Sequence, residues 1–292
     1  MSQLTPSELI LTDEGRIYHL DLLPGDIART IITVGDPKRV EQVSQYFDHI
    51  EVKRTHREFC THTGHYKGKR LSVVSTGIGT DNIDIVFNEL DALVNIDLAS
   101  RTIRQSHTSL TFIRMGTSGC LSPSLPVDTL LASAASIGID GLAGFYGFKS
   151  DLTAALQDFE AIYQSAERQL PPPYLVHAAV ELIQHLPEGF EKGLTLTCTG
   201  FYGPQGRSLR LPSVIRQDLQ EFSQLQIDGL PITNFEMETA AIYLMSHLLG
   251  HRAISLNALI ANRPNGAFSS NPKATVDRLI RKGLDYALSL LE

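Results

Sequence analysis

Three times in its first 120 residues the chain runs an apolar segment into a glycine-containing turn and then into polar sequence. Residues 30–34 lead to Gly35-Asp36-Pro37, residues 71–75 to Thr76-Gly77-Ile78-Gly79, and residues 110–115 to Gly116-Thr117-Ser118-Gly119. Short apolar runs bounded by such turns read as buried strands. Helical sequence follows the first two: residues 38 to about 47, then a stretch where Ile83, Val86, Leu90, Leu93 and Val94 recur at helical spacing. Strands alternating with helices predict an α/β architecture with a mixed, mostly parallel sheet. Further strands are expected at 130–137, 194–199 and 253–261. A last helix should turn Val276, Leu279, Ile280, Leu284, Ala287, Leu288 and Leu291 toward the sheet. Residues 138–150 and Pro171-Pro172-Pro173 read as loop. With no internal repeat and no linker, residues 1–292 are expected to form a single domain.

A net charge of −7 argues against a general nucleic-acid binder, which carries a basic surplus. No apolar run approaches the ~18 residues that span a bilayer, and the N-terminal sequence lacks the pattern of a signal peptide. Cys60, Cys120 and Cys198 are far apart and without metal or redox spacing, so reduced thiols and a cytoplasmic location are expected.

The strand ends carry the chemistry. Open α/β sheets bind ligands at the carboxyl ends of their strands, where backbone N–H groups receive anions. Arg39 lies one turn into the first helix, and Arg114 interrupts the apolar strand just before Gly116-Thr117. A buried arginine demands an anionic partner, and its planar fork grips phosphate with two parallel bonds. Two later segments add polar groups: Phe201-Tyr202-Gly203-Pro204-Gln205-Gly206-Arg207, and Asn234-Phe235-Glu236-Met237-Glu238-Thr239 at the opening of a helix. Carboxylates suit sugar hydroxyls; an amide beside a guanidinium suits a planar ring rich in carbonyls.

Other patterns fail on their own terms. Gly77-Ile78-Gly79-Thr80-Asp81-Asn82 has Asn82 where a dinucleotide fingerprint needs its third glycine. Cys60, His62 and His65 do not share one strand face and lack a fourth ligand, so exposed hairpin positions without a metal are expected.

The chain resembles the nucleoside phosphorylase superfamily, and within it the uridine phosphorylases. The resemblance rests on Tyr18-His19-Leu20, Gly35-Asp36-Pro37-Lys38-Arg39-Val40, His56-Arg57-Glu58-Phe59, Ser75-Thr76-Gly77-Ile78-Gly79 and Arg114-Met115-Gly116-Thr117, together with the two segments above. It implies a central mixed β-sheet forming a distorted barrel surrounded by α-helices, and phosphorolysis of uridine to uracil and ribose 1-phosphate. A purine nucleoside phosphorylase, a nucleosidase of the same fold and a non-catalytic nucleoside-binding protein are the alternatives.

Residue by residue, the resemblance implies phosphate contacts at Gly35, Arg39, Arg57, Arg114 and Thr117. Ribose contacts are implied at His19, Met237 and Glu238, and base contacts at Phe201, Gln205 and Arg207. Arg114, Glu238 and Arg207 would carry the catalysis. His19 and Arg57 would serve a neighbouring subunit, so a homo-oligomer is expected, at least a dimer and up to a hexamer. No cofactor is implied beyond phosphate as co-substrate. Glu58 is similar to a residue that in some members helps hold a monovalent cation, but Thr80-Asp81-Asn82 departs from the pattern around it. The loop also departs at Gly203-Pro204, where the reverse order is common, and at Gly206, where an acid is common. Arg-rich surroundings are expected to keep Glu238 ionised.

Overall fold

A strand long enough to belong to two structures at once organises the molecule. The computed structural model describes residues 3–150, 154–165 and 168–291. Its principal strands are β1 (Thr30–Val34), β2 (His49–His56), β3 (Phe59–Tyr66), β4 (Lys69–Ser75), β5 (Thr111–Cys120), β6 (Leu130–Gly138), β7 (Glu191–Thr197), β8 (Leu230–Glu236) and β9 (Arg252–Asn262). The main helices are α1 (Pro37–Ser44), α2 (Thr80–Asn95), α3 (Thr239–Leu248) and α4 (Pro272–Ser289).

The first half of β5 pairs in parallel with β1, from Thr30 opposite Thr111 to Thr33 opposite Arg114. There β1 ends, and the far end of β5 turns to a new partner: Phe235 and Asn234 of β8 lie antiparallel to Gly119 and Cys120. Pairing then runs from β8 to β7, β6 and β9 and back to β5, closing a mixed barrel. The other half of the sheet continues from β1 through β4 and β3 to β2, which forms its edge. The predicted α/β class and the distorted barrel are therefore both present.

Two expectations give way here. Gly116-Thr117-Ser118-Gly119 is strand rather than turn, since β9 stays paired with β5 as far as Asn262 opposite Cys120. Residues 234–236 likewise close strand β8, and the helix begins only at Thr239, with Glu238 as its N-cap. In both places the polar and glycine residues that look like a break are the ligand-facing end of a strand.

The first helix stops at Ser44, short of 47. The C-terminal helix follows the predicted stripe: Val276, Leu279, Ile280, Leu284 and Ala287 are buried against the sheet. Each such side chain contributes about 1.5–3 kcal/mol relative to exposure. Cys60 and His62 are buried, not exposed, because β3 lies inside the sheet between β2 and β4; Ser44 of α1 meets His62 Nδ1 at 2.8 Å. Among residues 138–150, Gly138 completes β6 and 142–145 form a short helix. No helix among the described residues is long and apolar enough to cross a membrane.

Candidate active site

The ends of β1, β4, β5 and β8 open into a cavity of about 640 Å³. At its floor Arg114 is 5% exposed and engaged through both Nη atoms. Its Nη2 lies 2.5 Å from Glu238 Oε2 and 3.1 Å from Glu236 Oε2, while Nη1 donates to Asn257 Oδ1 at 2.9 Å. The guanidinium folds back across Gly116, two residues along the same strand face. A Cβ there would stand 2.0 Å from Nη1, so only glycine admits this arrangement.

Both acids are held from the backbone side as well. Glu236 accepts the Thr197 hydroxyl at 2.5 Å and the N–H groups of Glu238 and Thr239 at 2.9 Å, which caps α3. Glu238 accepts the Gly79 N–H at 2.9 Å; Gly79 has φ +98°, a backbone that favours glycine.

Burial lifts the Glu238 carboxyl above its ordinary range; Arg114 and the Gly79 N–H pull it down, and Glu236 pushes it further up. The expectation that nearby arginines would favour the ionised form is thus reversed in direction. One guanidinium is shared between two buried acids, so desolvation outweighs it. For Arg114 the balance goes the other way: burial lowers its pKa, but Glu236 and Glu238 together raise it above the usual value.

Arg39 is different. Among the described residues its Nε is buried with no partner, and Nη1 reaches only the Met115 carbonyl at 3.5 Å. Burial, then the like charge of Arg114, lowers its pKa despite Asp36 and Glu238. An unpaired guanidinium nitrogen beside a second guanidinium leaves a positive field for an incoming anion to satisfy.

The opposite wall belongs to the 201–207 loop. Gln205 is buried, ending a short 3-10 turn, and Gly206 follows in the left-handed region at φ 69°. Arg207 lies flat on Phe201, its guanidinium carbon 3.7 Å from the ring centroid. Its Nη1 donates to the Phe201 carbonyl and to Gln205 Oε1, both at 2.6 Å. With that oxygen occupied, the Gln205 amide is left to present its N–H donors. Burial, then Arg263, pushes the Arg207 pKa down to about 10, which leaves a cation at neutral pH. Arg263 itself supports the loop through the Gln205 carbonyl at 3.2 Å.

The phosphorylase superfamily profile matches residues 29–291. The chain belongs to that superfamily. Among its relatives, the uridine phosphorylase of Thermococcus kodakarensis is 32% identical over 88% of this chain and 81% of its own length. A DeoD-type purine nucleoside phosphorylase of Levilactobacillus brevis is 29% identical over 92% of this chain and 97% of its own. A Trypanosoma brucei nucleoside phosphorylase, whose crystal structure is described as showing uridine phosphorylase activity, superposes with a TM-score of 0.84. That structure shares 28% identity and covers 96% of this chain and 99% of its own.

Within this phosphorylase-superfamily chain, Gly35, Arg39, Arg114, Thr117, Phe201, Gln205, Arg207, Met237 and Glu238 all line the one cavity, and Glu58 lies at its edge. His19 and Arg57 do not. Glu89 holds His19 at 2.6 Å from Nδ1, and also accepts the His19 and Leu20 N–H groups. Arg57 sits at the β2–β3 turn with φ 55°, strained for a residue with a side chain, and reaches out to the Tyr18 hydroxyl at 3.4 Å.

Two partners of the site, Asn257 and Arg263, carried no assignment from sequence; Glu236, grouped there with Glu238 as a carboxylate for sugar hydroxyls, instead holds Arg114 and the start of α3. Asn257 gives the same signal that singled out Arg114, a polar residue in the middle of an apolar strand. The Gly116 contact yields a direct test. Gly116→Ala should displace the Arg114 guanidinium and cut kcat/KM about 100-fold, the usual consequence of misplacing a site group by about 1 Å. Steady-state kinetics would check it, beside a lowered melting temperature as Glu236 and Glu238 lose part of their pairing; a near-normal rate would show that Arg114 has another route to the cavity.

Proposed function

We propose that the chain is a uridine phosphorylase, cleaving uridine with inorganic phosphate to uracil and ribose 1-phosphate. The observation that carries the reading is the polarity of the cavity: unpaired Arg39 nitrogen beside Arg114 at one end, Gln205 and Arg207 under Phe201 at the other. Met237 and Glu238 line the same cavity. Cleaving the ribosyl–uracil bond builds positive charge on the sugar and negative charge on the departing base. Arg39, Arg114, Gly35 and Thr117 hold and orient phosphate for attack on the anomeric carbon. Positioning of this kind is worth roughly 7–11 kcal/mol at the well-oriented extreme.

Glu238 accepts from the ribose hydroxyls and Met237 packs on the sugar. At the base end, Arg207 and the Gln205 amide donate to the ring carbonyls as charge builds there. Uracil is favoured over a purine because the cavity residues from 201–207, with Ile260, Ala261 and Phe268, include no carboxylate to meet a purine ring nitrogen. His19 and Arg57 complete the site of a neighbouring copy, which makes the active unit at least a dimer; cytoplasmic nucleoside salvage is the corresponding role.

Release of uracil should require phosphate. Purified protein is mixed with uridine in phosphate-free buffer and then with phosphate, and the change in absorbance is followed. Cleavage at equal rates in both would assign the site to a hydrolase, and turnover of inosine in preference to uridine would assign it to a purine enzyme.

A further inference from the structure

We propose that the outer face of the β2–β3 edge carries a binding site for a zinc-class transition-metal ion, formed by His49, Glu51 and His65 with solvent as the remaining ligand. This site lies apart from the nucleoside cavity, whose lining includes none of the three. The register creates it. His49 and His65 are direct cross-strand partners on β2 and β3, and Glu51, two residues along β2 from His49, lies on the same side. Their ligand atoms all lie within 4.8 Å of one another. Glu51 Oε1 is 3.0 Å from His65 Nδ1 and 3.8 Å from His49 Nε2. Donors around a tetrahedral zinc, bound at about 2.0–2.1 Å, stand roughly 3.3 Å apart. The two distances bracket that value.

The close approach of Glu51 to His65 does not make a hydrogen bond. His65 Nδ1 is buried and has no partner in hydrogen-bond geometry. A cation between the two groups would satisfy both. Arg70 holds the other Glu51 oxygen at 2.8 Å, orienting the carboxylate as an outer-shell partner does. His49 and His65 rings stack at 4.6 Å, and His49 is exposed enough to adjust its ring. Imidazole nitrogen with a carboxylate suits zinc and its first-row neighbours.

A second cluster, Asp91, His107 and His251, shows the contrast. There the Leu110 N–H donates to His251 Nδ1, which puts the ring proton on Nε2 facing Asp91, and His107 Nε2 is spent on the Leu249 carbonyl. With the His251 lone pair spent on the Leu110 N–H, that cluster is left short of a third donor. The Cys60, His62 and His65 grouping in the sequence fails because His62 points to the opposite, α1-covered face. The metal partners of His65 come from across the strand pair.

The test uses the full chain without a histidine tag, stripped with chelator and held in phosphate-free buffer. Calorimetric titration with Zn²⁺ should show one saturable site per chain, and Co²⁺ should develop visible absorption. The three cysteines are buried and should not compete. Loss of an outer-shell partner alone typically costs about 10–100-fold in metal affinity, so His65→Ala and the exposed His49→Gln should each cost at least that. The His49→Gln chain should keep its wild-type melting temperature in chelator while losing the rise that Zn²⁺ gives the wild type. Absence of saturable binding, or equal affinity in wild type and His49→Gln, overturns the proposal.

Discussion

Arg114→Ala should nearly abolish phosphorolysis and also lower the melting temperature by on the order of 10 °C. The stability effect follows from what stays behind. Glu236 and Glu238 are buried at the same guanidinium, 3.1 and 2.5 Å from Nη2. Removing one member of a buried ion cluster typically costs about 3–5 kcal/mol, because the remaining charge is uncompensated, and in a chain of this size each kcal/mol moves Tm by roughly 2–4 °C. Adding Glu238→Gln to Arg114→Ala should recover part of the lost stability, since the two residues share one network. It should recover none of the activity.

The pH dependence has a definite sign. Folding raises the Glu238 carboxyl above its reference of 4.5, so its contribution favours the fold at acid pH and is lost as pH rises through the elevated value. Without Arg114 that elevation grows. The stability deficit of Arg114→Ala should therefore widen toward neutral pH and narrow in acid. Thermal melts of the four proteins in the cycle across that range decide the point. A deficit independent of pH, or a Tm within about 1 °C of wild type, would mean that the acids are not charged partners of Arg114.

Four of the barrel's five strands were legible because each contains a short apolar run, and periodicity reports burial directly; β8, whose end was read as the opening of a helix, was not. What periodicity does not report is where a strand ends when its last residues face a ligand. Gly116 and Thr117 look like a turn, yet the glycine serves an arginine lying across it, and β9 keeps pairing beyond. Glu236 looks like a helix-opening acid and is the end of β8. Closure of the sheet was expected only from the family resemblance and not from periodicity, because it depends on β5 changing partner from β1 to β8, a long-range event with no local signature. Arg114 could be singled out, being charged within an apolar run. Arg39 and the 201–207 residues gained weight only from their joint order, as each alone reads as an ordinary surface group.

Reversal of the expected direction for Glu238 has the same origin. Sequence counts the arginines near an acid but not the water excluded from it. In the folded chain Glu238 is 5% exposed and shares its one guanidinium partner, Arg114, with Glu236. Desolvation then decides the shift. A bound substrate offering hydroxyl donors would favour the ionised form again.

Arg207→Ala should lower kcat for uridine by about 100–1,000-fold, the loss of about 2.7–4 kcal/mol that follows removal of one donor aimed at developing charge. The phosphate KM should scarcely move, since Arg207 lies at the far wall, stacked on Phe201 and bonded to the loop's own Gln205. Being half-buried and without a carboxylate partner, its loss should leave Tm close to wild type. Arg207→Lys should not rescue the rate: a single ammonium cannot lie on the Phe201 ring and at once hold the Phe201 carbonyl and Gln205 Oε1. The decisive comparison uses a better leaving base. If Arg207 stabilises negative charge on the departing ring, 5-fluorouridine, whose base carries that charge more easily, should suffer a smaller loss in Arg207→Ala than uridine does. Equal losses on the two substrates would assign Arg207 to ground-state binding, and a near-normal kcat would remove the loop from the chemistry altogether.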